Sequence, residues 1–204
     1  MSVLIVDYGM SNLGSVKRAF EECGASAHVS DDPADCLQAE HIVLPGVGSF
    51  ADGMSALLAG GWVGPLRYAV LEEKIPLLGI CLGMQLLADT GFEGGETAGL
   101  GLIPGEVRRL TADTPETRIP HVGWNEAHHD GTHPLFAGIP DGADFYFVHS
   151  YHLVPVDAAD ALAGTPYCGT FTSVVGRGTV YGTQFHPEKS SRYGFQLIRN
   201  FLAL

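Results

Sequence analysis

Residues Ile75 to Asp89 read IPLLGICLGMQLLAD, and they constrain the fold more than any other stretch of the chain. The run is mostly apolar, so it belongs in a core. Yet Gly79 and Gly83 stand two residues to either side of Cys81. Glycine weakens a strand or helix interior, so two of them imply a sharp turn or a close backbone approach. G-x-C-x-G between two apolar runs reads as strand, tight turn, helix. It is the thiol counterpart of the G-x-S-x-G elbow, in which the flanking positions tolerate only hydrogen.

Other segments repeat the alternation. Val3 to Gly9 (VLIVDYG) reads as a buried strand ended by glycine. MSNLGSVKRAFEECGA follows as a helix, with Ser11 or Asn12 as its cap and Cys23-Gly24 as its close. HIVLPG, from His41 to Gly46, is a second buried strand, and DGMSALLAGGWVGPLRYAVLEEK is helical with a break near Gly60-Gly61. IPLLGI is the next strand and LGMQLLAD the helix after it. Such alternation implies an α/β fold: a mostly parallel central sheet flanked by helices. After about Gly94 the segments become short, β-rich and turn-punctuated, with Gly176-Arg177-Gly178 as a hairpin turn. No linker interrupts the 204 residues, and a single domain, 1–204, is the expected organisation.

The charge balance is 11 basic residues against 23 acidic, a net of -12, which argues against a nucleic-acid partner. No run is long enough to span a membrane, and MSVLIVDYGM lacks the basic start of a secretory signal. Cys23, Cys36, Cys81 and Cys168 form no C-x-x-C pair. Free thiols in a reducing cytoplasm are therefore expected.

A thiol in an elbow points to nucleophilic chemistry. The start of a helix favours a thiolate, and the Leu82 N–H is aimed where an oxyanion would form. A cysteine nucleophile needs a base and an orienter. His128, His129 and His133 lie in a polar loop without metal-ligand spacing, and no metal is expected there. His149 and His152 would face opposite sides of one strand. His186 differs, because it opens His186-Pro187-Glu188 after an apolar strand. Proline holds the residue before it extended. In an extended chain residues i and i+2 face the same way, so Glu188 can orient the imidazole toward Cys81. LPGVGSF, Leu44 to Phe50, offers further amides from a loop with little side-chain bulk. A phosphate cradle is the rival reading, but Gly46-x-Gly48 lacks the rest of a P-loop.

GICLGMQLL with FHPEKS resembles the class I, triad-type glutamine amidotransferases, whose fold is flavodoxin-like. LPGVGSF, PHVGWN, YFVHSY and DYGMSNLGSV are similar to one branch of them, the glutaminase subunits of imidazole glycerol phosphate synthase. The resemblance covers essentially the whole chain. It implies hydrolysis of glutamine to glutamate and ammonia through a γ-glutamyl thioester, with Cys81, His186 and Glu188 as the triad. It implies an oxyanion hole at Leu82, Val47 and Gly48, where a peptide flip would turn the Val47 N–H toward substrate. Substrate contacts are implied at Gly46, Gln85, Glu93, Ser150 and Tyr151. ADTGFE departs from the family's serine-rich pattern around Glu93. No cofactor is implied.

A chain of this length leaves no room for an ammonia acceptor, so a partner is expected. By resemblance the partner is the cyclase of the same synthase. It is a (β/α)8 barrel making imidazole glycerol phosphate and an aminoimidazole carboxamide ribonucleotide. Asn12, Trp124 and Lys189 match interface positions; for Trp124 a plain core role is the alternative. A glutaminase serving another synthase, of vitamin B6 or anthranilate type, would keep the triad and change the partner. A docking protein on a degenerate fold would not need an intact triad.

Overall fold

The computed structural model describes residues 1–204. The chain runs β1 (Ser2–Val6), α1 (Leu13–Glu22), β2 (Ser26–Ser30), β3 (His41–Gly46), α2 (Phe50–Ala59), α3 (Val63–Leu71), β4 (Leu77–Cys81) and α4 (Leu82–Leu86). It continues with β5 (Thr90–Gly91), β6 (Thr97–Ala98), β7 (Gly105–Arg109), β8 (His121–Ala127), β9 (Ala143–His149) and β10 (Tyr151–Pro155). β11 (Ala161–Thr165), β12 (Phe171–Arg177), β13 (Val180–Thr183) and α5 (Ser191–Leu202) complete it, with short 3-10 turns between.

Seven strands form the central sheet in the order β11-β12-β13-β4-β3-β1-β2. The strands from β2 to β13 are parallel; β12 and β11 add antiparallel at the far edge. Alternation along β1 shows why both faces need cover. Val3 and Ile5 enter one core with Phe20 of α1 and Phe201 of α5. Leu4 and Val6 enter the other, with Leu57 of α2, Leu66 of α3 and Leu86 of α4. Each fully buried aliphatic contributes about 1.5–3 kcal/mol relative to exposure. A four-stranded sheet, β10-β7-β5-β6, and the β8-β9 ribbon hold much of the β-rich half, while its last strands, β11 to β13, join the central sheet.

Several local expectations change in detail. Asn12 sits at the N-cap of α1 without a side-chain cap bond. α2 and α3 are separated at Gly60-Gly61, as the glycines imply. The elbow helix is shorter than its apolar run, since α4 spans only five residues. With few aligned peptides, its dipole contributes little to a thiolate. The hairpin turn lies one step later than expected. Arg177 pairs with Val180, so Gly178 and Thr179 form the loop, and Gly178 takes the positive φ of 59°. His149 and His152 belong to different strands in different sheets, because the chain breaks at Ser150. All four cysteines are free, and no helix is long and apolar enough to cross a membrane.

Candidate active site

The parallel neighbours β3, β4 and β13 deliver their carboxyl ends together, where open α/β sheets place their sites. Gly46 is in register with Cys81, and Ile80 with Thr183. Cys81 has φ 55° and ψ −110°, well outside the ordinary regions for an L-residue. Such strain costs on the order of 1–3 kcal/mol and survives only where the surroundings impose it. The flanking glycines show the imposition. A Cβ on Gly79 would lie 2.6 Å from the Gly83 carbonyl oxygen, and one on Gly83 would overlap the Leu44 carbonyl.

His186 comes from a different device. Phe185 is fully buried, stacked 4.0 Å from Phe145 and edge-on to Phe147. The His186 N–H donates to the Tyr146 carbonyl at 2.9 Å. The Ser190 hydroxyl donates to the His186 carbonyl and accepts from the Tyr146 N–H. His186 itself is extended, as its proline requires. Glu188 reaches it by another route than expected. β13 ends at Thr183, and Pro187–Lys189 form a 3-10 turn that curls the carboxylate back. Glu188 Oε1 stands 2.8 Å from Nδ1, with both side chains almost wholly buried. Burial pulls the imidazolium down; the Cys81 sulfur and the Glu188 carboxylate more than offset this and raise its pKa to about 9. Nε2 is buried and has no hydrogen-bond partner.

A cavity of about 300 Å³ opens beside this pair. Its lining brings together Cys81, His186, Leu82, Val47, Gly48, Gln85, Glu93, Ser150 and Tyr151. Gly46 is the exception. It faces a smaller neighbouring pocket with Asn12, Glu188 and Lys189, and a Cβ there would overlap the Tyr8 hydroxyl. Glu93 accepts from the Phe50 N–H at 2.8 Å. Gln85 donates to the Tyr151 carbonyl at 2.8 Å and to Gln184 Oε1 at 3.1 Å. The Val47 N–H does not face the cavity: it donates to the Met10 carbonyl at 2.7 Å. Leu82, first residue of its helix, has no intrahelical acceptor for its N–H.

Trp124 is 54% exposed, which disposes of a core role. Its ring meets Tyr146 edge-on at 6.2 Å, and Lys189 Nζ lies 5.9 Å from the same Tyr146 ring. Trp124 and Lys189 therefore share one face, and Asn12 borders the Lys189 pocket. His128 and His129 lie near Asp141, where no group of side chains is placed to hold a metal. Two residues at the site escape a reading by motif. Gln184 is fully buried, with Nε2 3.8 Å from Cys81 Sγ. His149 lines the cavity. The signal for Gln184 is its position two residues before His186; that for His149 is its place within YFVHSY, where it reads only as a candidate base.

The family model for class I glutamine amidotransferases matches residues 4–204. The chain belongs to the class I glutamine amidotransferase family. Among curated relatives it is 48% identical to the imidazole glycerol phosphate synthase subunit HisH of Moorella thermoacetica, over 98% of this chain and 93% of that one. It is 47% identical to HisH of Syntrophotalea carbinolica, over 98% of each. A solved glutamine amidotransferase superposes with a TM-score of 0.77 at 19% identity, covering 98% of this chain and 97% of that one. A glutamine amidotransferase from Thermotoga maritima gives 0.68 at 20% identity, covering 100% and 83%. These two show the amidotransferase fold.

Proposed function

We propose that this chain is the glutaminase subunit of an imidazole glycerol phosphate synthase, residues 1–204 acting as one glutaminase domain in histidine biosynthesis. The observation that carries the reading is the strained Cys81 beside the buried His186–Glu188 pair, lining a cavity roomy enough for glutamine. Cys81 Sγ attacks the side-chain amide carbon of glutamine. The proton of the thiol passes to His186 Nε2, with Nδ1 held by Glu188. The same proton goes to the leaving nitrogen, which departs as ammonia and leaves a γ-glutamyl thioester on Cys81. His186 then takes a proton from water, whose oxygen attacks the thioester. Glutamate leaves and the thiol is restored.

Each addition places negative charge on the former carbonyl oxygen. Leu82 N–H is one donor to it, and a second comes from the Pro45–Gly48 loop. With the Val47 N–H given to Met10, that donor is withdrawn at rest. Turning the peptide between Gly46 and Val47 would bring it round, and glycines at 46 and 48 keep the turn inexpensive. Loss of one such donor typically costs 10²- to 10³-fold in rate (roughly 2.7–4 kcal/mol). A resting chain should therefore be slow.

The partner is a cyclase with a (β/α)8 barrel, docked on the face of Asn12, Trp124 and Lys189. Val122 and Val148, both exposed, extend that face in apolar character. Docking there would close the site over released ammonia and keep it from water. Gln85, Glu93 and the Ser150–Tyr151 backbone would hold the substrate's polar ends.

The test is Cys81→Ala in the complex with the cyclase. Glutamine-dependent synthesis should disappear while synthesis from added ammonia persists. Survival of the glutamine-dependent reaction would remove Cys81 as the nucleophile.

A further inference from the structure

Around the cavity, some of them in its wall, lies a set of buried polar side chains that the triad does not use. His121 is 3% exposed, His149 6%, Gln85 4% and Gln184 0%. Buried polar groups of this kind are costly unless paired, and these are paired in one line. Asn125 Nδ2 lies 3.2 Å from His121 Nε2. His121 Nδ1 lies 3.0 Å from His149 Nε2. His149 Nδ1 lies 2.8 Å from the Tyr151 carbonyl oxygen. That oxygen also accepts from Gln85 Nε2, which donates in turn to Gln184 Oε1. Gln184 Nε2 then points at Cys81 Sγ, 3.8 Å away.

The direction of the line is set from both ends. Asn125 Oδ1 accepts from the Glu126 N–H and Nδ2 donates to the Pro166 carbonyl, so its amide has one orientation. Nδ2 is thus a donor, and His121 Nε2 must accept. At the other end a carbonyl can only accept, so His149 Nδ1 carries a proton. Burial keeps both rings neutral, drawing His121 down to about 4 and His149 to about 3. A neutral His149 with Nδ1 protonated has a bare Nε2, which takes the Nδ1 proton of His121. Both histidines are thereby fixed as Nδ1–H tautomers. Stacking of His121 on Tyr167 at 4.0 Å holds the first ring in plane.

We propose that His121, His149 and Gln184 are positioning residues of the glutaminase reaction, one hydrogen-bond line setting the Tyr151 carbonyl, the Gln85 amide and the Cys81 sulfur relative to one another. The proposal rests on the glutaminase reading above. Two substrate-side groups, Gln85 and the Tyr151 backbone, are held by the same line that ends on the nucleophile. Its outer end, Asn125, sits on β8, whose opposite face carries Trp124. His186, Glu188 and Tyr8 are the titratable groups near the sulfur, and none belongs to the line.

Two measurements test it. The first is ¹⁵N NMR of the imidazole nitrogens in the wild-type chain at neutral pH. Both His121 and His149 should show a protonated Nδ1 and a bare Nε2. A proton on Nε2 of either ring would break the line and overturn the proposal, whatever the activity. The second is steady-state kinetics of the complex with the cyclase. Gln184→Leu should lower kcat for glutamine about tenfold with KM little changed. His149→Phe should lower kcat and raise KM. His149→Asn, which returns a donor near the Nδ1 position, should restore most of the loss. A Gln184→Leu enzyme with wild-type kcat, or a His149→Asn enzyme no better than His149→Phe, would refute the assignment. If Gln184→Leu does not fold, the two His149 variants and the NMR decide. A wild-type complex that releases no glutamate would instead refute the glutaminase reading, and the tautomers would still judge the line.

Discussion

At the ends of the adjacent strands β3 and β4 the chain makes two glycine-flanked turns, Gly46-Val47-Gly48 and Gly79-Ile80-Cys81-Leu82-Gly83. In the second, the glycines are there for contact. Gly79 packs under the Gly83 carbonyl and Gly83 against the Leu44 carbonyl, so neither turn of backbone can move alone. In the first, Gly48 takes φ 117°, only the end of the Met10 side chain stands near it, and Val47 is 45% exposed. The elbow is locked on both sides; the loop beside it is pinned at Gly46, where a Cβ would overlap the Tyr8 hydroxyl, and free at Gly48. Glycine thus serves rigidity at one strand end and conformational freedom at the next, and only burial and backbone contact tell the two apart.

The comparison is broken most severely by Gly83→Ala. Its methyl group meets backbone, which cannot give as a flexible side chain can. A loss above about 4 kcal/mol, or no folded protein, is expected by chemical denaturation. A mild effect would mean that the elbow is not locked. Val47→Pro comes next. It removes the N–H proposed as the second oxyanion donor, and partner-stimulated glutamate release should fall about 10²- to 10³-fold while the chain stays folded. Wild-type turnover in this variant would separate the loop from catalysis.

Acidity probes the ground under the elbow. His121 and His149 have folded pKa values below the ordinary 6.5, so the unfolded chain binds more protons as pH falls. Their contribution is present above pH 6.5 and is lost from 6.5 down to about 4 for His121 and about 3 for His149, by about 1.4 kcal/mol per pH unit for each histidine. His186 has the opposite sign. Raised to about 9, it stabilises below pH 6.5 and loses that contribution as pH climbs from 6.5 through 9. Thermal midpoints should therefore peak near neutrality, and His121→Phe should flatten the acid limb. The smallest effect is that of Gly48→Ala. Strain at positive φ should cost about 1–2 kcal/mol, read as a modest fall in melting temperature.

The same comparison explains what could be read from residues alone. The parallel sheet and the elbow were legible because their causes are local: apolar runs, and glycines at fixed spacing around Cys81. Glu188 was legible as a partner of His186, but by a different geometry, since the 3-10 turn after Pro187 is not encoded in strand alternation. The commitment of the Val47 N–H to Met10 was not legible, because it joins residues 37 positions apart through a loop of permissive glycines. The His121–His149 line joins β8 to the end of β9, and its partners meet only once that ribbon has paired. For Trp124 the sequence left core and surface open, and the outward face of β8 decides for the surface.

On the proposed function, Cys81 is set by a rigid elbow while the Val47 N–H, the proposed second oxyanion donor, is held by the Met10 carbonyl. Glutamate release from glutamine, measured for the chain alone and again with the cyclase partner and its nucleotide ligand, tests it most directly. Slow release from the chain alone and a rise of roughly 10²-fold or more in the complex are expected. Full activity from the isolated chain, unchanged by the partner, would contradict it.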